Sequence, residues 1–137
     1  MSLHLTLSAH DKLTLRTAAY GAVSLLAAAD AAGSPHKIAT HGSIALTSAT
    51  GPIGHVLGEK SKIGDLNGKT VAELADRVLP ALAETMHLLQ DRDPAEAENF
   101  RTTINTAIDA AARTYKGEPS PVMTEMARKI NAALDAA

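Results

Sequence analysis

No cysteine occurs among the 137 residues. Disulfides, thiolate metal sites and a cysteine nucleophile are therefore excluded. A reducing, cytoplasmic setting is the compartment such a composition fits best. Aromatic residues are almost as scarce: Tyr20, Phe100 and Tyr115 are all there are, and tryptophan is absent. A chain so poor in rings offers no platform on which to stack bases. Charge of one sign is missing as well, since the formal net charge is only −2. The first 69 residues carry six Lys/Arg against four acids, and the rest carry seven against eleven. Neither half presents a basic stripe, so no nucleic-acid partner is expected. Long hydrophobic runs are also lacking. The longest, Ala18 to Ala29, falls short of the roughly 20 residues that cross a bilayer, and no membrane association is expected. That run ends in AAADAA, which resembles a leader cleavage site. The long preceding segment with Asp11 argues against a leader.

What is present is alanine, 27 residues of it. Alanine favours helix and lets helices approach closely. Heavy use of Ala, Thr, Asp and Arg with little Lys is also the habit of a GC-rich bacterial genome. The length suits one domain spanning residues 1–137. A chain of this size buries roughly 68–70% of its unfolded surface, enough for a core without staples. The expected fold is all-α: a single-domain bundle of about five helices with a glycine-rich irregular segment near the middle.

The first helix is expected from Ala9 to Ala32, with Ser8 as N-cap and Gly33 as stop. Leu15, Ala19, Ala22, Leu26 and Ala29 form its bulkier face. Thr14, Thr17, Gly21, Ser24, Ala28 and Ala31 form a face of small residues, and Arg16 and Asp30 share a narrow charged sector between the two. A helix with two uncharged faces is either gripped on both sides by its own chain or lies in an interface. The second use predicts a homo-oligomer joined through Thr14, Thr17, Gly21, Ser24 and Ala28.

Ser34-Pro35 marks a second helix start. Its interior, with Gly42, Ile38, Ile44 and several threonines and serines, is poor helix material, and a strand over Ile44–Thr47 is the alternative. The alternating opening LHLTL has a strand period over too few residues to decide. Beyond Gly51, a short helical turn around Ile53–Leu57 and then loop through Asn67-Gly68 are expected. The C-terminal half is plainer. Thr70 and Glu73 form a capping box, followed by Val71, Leu74, Val78, Leu82, Met86 and Leu89 at helical spacing, with Pro80 as an expected kink. Asp93-Pro94 opens the next helix, which carries Ala97, Phe100, Ile104, Ala107, Ala111 and Tyr115 and stops at Gly117. Ser120-Pro121 opens the last, with Val122, Met126, Ile130, Ala133 and Leu134 inward.

The stretch Gly51 to Ser61, GPIGHVLGEKS, resembles a phosphate loop only superficially. Such a loop needs G-x-x-x-x-G-K-[ST]. Here Gly54 and Gly58 are one residue too close, and Glu59 puts negative charge where a phosphate would lie. Glu84-x-x-His87 is a single copy of a pattern that di-iron bundles use twice, and it falls on the solvent side of its helix. No metal site and no cofactor are expected. No G-x-S-x-G elbow surrounds any serine.

Two functions fit these residues. The first is a self-associating or protein-binding helical module without catalytic activity. The second is a small-molecule binder or enzyme with a site in segment 41–65, its ligand-binding residues His41, His55, Glu59 and Lys60, because function tends to sit on loops held by a rigid scaffold.

Overall fold

The computed structural model describes residues 6–29, 35–59, 70–113 and 121–136. They form six helices: α1 (Ala9–Ala29), α2 (Pro35–Thr47), α3 (Gly51–Gly58), α4 (Val71–Arg92), α5 (Pro94–Ala112) and α6 (Pro121–Asp135). No strand occurs among the described residues. The fold is all-α, as the alanine content and the periodic stripes imply.

α1 starts where its cap says it should. The Ser8 hydroxyl accepts from the Asp11 backbone N–H at 3.0 Å, and the Asp11 carboxylate accepts from the Ser8 N–H at 3.0 Å. Two backbone donors that a helix start leaves orphaned are thus satisfied reciprocally. The helix lies at the centre of the molecule and packs against all five others. Leu15, Ala18, Ala19, Leu25 and Leu26 have no exposed surface. The sequence shows why this helix takes the middle: apart from Arg16, nothing between Lys12 and its end carries charge.

α2 is helical as expected, and α3 extends the helical turn expected around Ile53–Leu57. Residues Ile44–Thr47 are helical, not a strand. Ile38, Gly42 and Leu46 are the buried residues of α2 and recur every fourth position, so burial on one helical face outweighs the weak propensity of its threonines and isoleucines. That expected turn is longer than the sequence suggests: GPIGHVLG forms two turns of helix. Gly51 takes φ +70°, which reverses the chain after Thr50, and Pro52 follows in the first turn. Ile53, Val56 and Leu57 are then driven into the core. The remainder of the expected loop, with Asn67-Gly68, lies outside the described residues. So do Leu3, Leu5, Asp30, Gly33, Ser34, Tyr115, Gly117 and Ser120.

The three later helices keep their expected starts. Thr70 and Glu73 form the capping box of α4. Asp93 serves two helices at once: its N–H closes α4 on the Leu89 carbonyl at 2.6 Å, and its carboxylate caps α5 through the Ala95 N–H at 3.2 Å. Pro80 sits inside α4 with its ring exposed, and the helix continues through it. In α6 the inward stripe is Met123, Met126, Ile130 and Leu134. Val122, expected inward, is 56% exposed. At 100° per residue, Met123 falls about 20° from the centre of the stripe that Met126, Ile130 and Leu134 define, and Val122 about 80°. Arg101 ties the end of α6 to α5 through Asp135 and the Leu134 carbonyl.

Candidate functional site

α3 is held at both ends by its neighbours. At its start, the Asn99 side chain donates to the Thr50 carbonyl at 3.0 Å and to the Glu96 carboxylate at 3.3 Å. At its end, the Tyr20 hydroxyl donates to the Leu57 carbonyl at 2.7 Å. Burial pushes the Tyr20 phenol above its ordinary range, which keeps it a neutral donor. A Cβ on Gly54 would collide with the Ala49 carbonyl, so this glycine permits a close turn. Of the stretch that resembles a phosphate loop, Gly51–Gly58 is a short helix.

Its last residues gather charge. The Glu59 carboxylate, 27% exposed, faces three basic side chains. Arg16 Nη1 lies 3.3 Å away, His55 Nε2 3.5 Å and Lys12 Nζ 3.8 Å. Arg16 is 94% buried, so its pairing neutralises a charge that water cannot reach. Lys12 and His55 are far more open and loosely held. Their distances exceed those of a well-formed charge-assisted hydrogen bond, about 2.7–2.9 Å. Arg16 was not legible as a member of this site. The helical angle that groups it with Asp30 says nothing of depth, and its partner is 43 residues away. The available signal was its isolation in an otherwise uncharged stretch.

Of the four residues expected to form a ligand site, the structure brings His55 and Glu59 together. Lys60 lies outside the described residues. His41 belongs elsewhere: it is exposed on α2 and lines a hollow of about 270 Å³ with Ile44, Ala45, Thr106, Ala110 and Arg113, between α2 and α5. His55 instead lines a cavity of about 410 Å³ with Thr6, Leu7, Lys12, Gly51, Pro52 and Val56. The two cavities share no residue.

The small face of α1 is used inside the chain. A Cβ on Gly21 would stand 2.6 Å from a Val78 methyl of α4, and Thr17 is only 6% exposed. Thr14, Ser24 and Ala28 are half-buried. The helix is gripped on both sides by its own chain, the first of the two uses its sequence allowed. Glu84 and His87 are exposed on α4, beside Asp11, Asp91 and Arg92. Among the described residues, no group of three or more His, Asp or Glu is placed to hold a metal ion. No described helix is long and apolar enough to cross a membrane.

No protein-family model, curated protein or solved structure matches this chain.

Proposed function

We propose that this chain is a non-catalytic, self-associating module, a homodimer joined through the exposed face of α2 and α5. One observation carries the reading. Ile44 stands 64% exposed in the middle of a face that otherwise shows small and polar side chains. Ile44 is one wall of the hollow that His41, Ala45, Thr106, Ala110 and Arg113 also line. A projecting aliphatic knob and a hollow with Ala45, Thr106 and Ala110 in its lining lie on the same face, which supports a self-complementary contact. Under two-fold symmetry each isoleucine enters the partner's hollow, so the contact closes and does not propagate. The cysteine-free composition supports placing this association in a reducing cytoplasm, and the codon habit supports a bacterial one.

This relocates the expected interface. Association through Thr14, Thr17, Gly21, Ser24 and Ala28 would require α4 to leave Gly21, whereas the α2–α5 face is already open.

The test is the mass in solution. Sedimentation at about 10 µM should give a particle of twice 14.2 kDa, with a Kd in or below the micromolar range. Ile44→Lys should return the protein to 14.2 kDa. Burying the exposed part of two isoleucines is worth about 2–4 kcal/mol, so dimer affinity should drop on the order of 100-fold. A wild-type monomer at high concentration, or a variant of unchanged mass, overturns the reading.

A further inference from the structure

The cavity at the junction of α1 and α3 is independent of the proposed dimer face. Its wall is built from Thr6, Leu7, Lys12, Gly51, Pro52, His55 and Val56, and its volume of about 410 Å³ falls within the range of small-molecule sites, roughly 300–1,000 Å³. Among these residues the ionisable groups are Lys12 and His55, both basic. The remainder of the lining is mostly apolar: Leu7, Pro52 and Val56. Basic groups beside an apolar lining define a ligand with two ends.

We infer that this cavity binds a small organic carboxylate, its charge held by Lys12 and His55 and its short apolar body lying on Leu7, Pro52 and Val56. Glu59 shows that these two basic side chains can converge on a carboxylate, because both already reach toward it from 3.8 and 3.5 Å. It also shows that they are available. The Lys12 side chain is 37% exposed and that of His55 is 80% exposed, so both can turn toward the cavity. Glu59 is not abandoned when they do, since buried Arg16 remains at 3.3 Å to balance it. The internal carboxylate is therefore a competitor for the same two basic side chains. Removing its charge should help a ligand, which a merely structural ion cluster would not do.

The experiment titrates the full-length protein with butyrate, and separately with its neutral isostere butyramide at matched ionic strength, following backbone amide shifts by NMR. Butyrate should saturate the shifts of Lys12, Gly51, His55 and Val56, and butyramide should bind at least tenfold more weakly. Lys12→Ala should weaken butyrate binding at least tenfold. Glu59→Gln should tighten it severalfold. If Glu59→Gln perturbs the fold, Glu59→Asp, which draws the charge back by one methylene, should show the same direction. Absence of saturable shifts with butyrate overturns the assignment. So does equal binding of acid and amide, an unchanged affinity in Lys12→Ala, or weaker binding when Glu59 is neutralised without loss of fold.

Discussion

At the scale of single residues, Gly21 is where the interior of this protein tolerates least change. Its missing side chain lets α4 approach until a Val78 methyl occupies the place a Cβ would take. Valine is stiff at χ1, so the neighbour cannot swing aside. Gly21→Leu should cost about 1–3 kcal/mol by overpacking, read as a lower urea midpoint with unchanged slope. The mass in solution should stay the same, because at Gly21 this face meets α4. A companion Val78→Ala should recover part of the loss, so that the double variant is more stable than the sum of the singles implies. If Gly21→Leu instead alters the mass and spares stability, the small face is an interface after all. The smallness of this face was legible from Thr14, Thr17, Gly21 and Ser24 alone. What covers it was not, because a run of small side chains suits any close neighbour equally well. The same blindness hid Arg16, whose angle on the helix is fixed by the sequence but whose burial depends on Glu59 arriving from α3.

Among the elements, those with strong local signals read correctly. The starts of α1, α4 and α5 are written as Ser8, Thr70 and Asp93, and each makes its capping contacts. α2 was ambiguous because its residues carry little intrinsic helix preference. Its helicity comes from burying Ile38, Gly42 and Leu46, a tertiary effect. Val122 was avoidable, since the angular placement of Met123 was already in the sequence. The cap of α1 gives a measurable pH dependence. The Asp11 carboxyl is held below its ordinary value of 3.8, chiefly by the Ser8 backbone N–H, with the Ser8 hydroxyl contact and the guanidinium of Arg92, 3.1 Å away, adding to it. A depressed folded value means the ionised form stabilises the native state. That stability is complete above the unfolded value and is lost as pH falls through the folded one. Asp11→Ala should therefore cost on the order of 1 kcal/mol near neutral pH, as capping losses do. The gap between variant and wild type should close as the pH drops below 3.8. Urea unfolding from pH 7 down to the acid limit checks this. A gap that is constant across the range would mean that Asp11 acts through shape, not charge.

For the molecule as a whole, the bundle was legible because helix periodicity repeats along the chain, whereas a site depends on which loops and faces the fold brings together. His41 and His55 are close in sequence, yet α2 and α3 turn them into separate cavities. The proposed dimer is likewise a property of the assembled surface, because α2 supplies the knob and α5 much of the hollow. Its geometry can be tested without disturbing Ile44 by charge. The chain holds no cysteine, so any disulfide must join introduced residues. Ile44→Cys and Ala110→Cys are prepared separately as single variants, reduced, mixed and oxidised. In the two-fold contact, position 44 of one protomer faces position 110 of the other. The mixture should then yield a linked heterodimer faster than either variant alone, provided the Cα atoms come within about 4.4–6.8 Å as a disulfide requires. Gly58→Cys, at an exposed glycine with open space around it, is the collisional control. Pairing of 44 with 110 no faster than 44 with 58 would show that the hollow on α2 and α5 is not where the second copy sits.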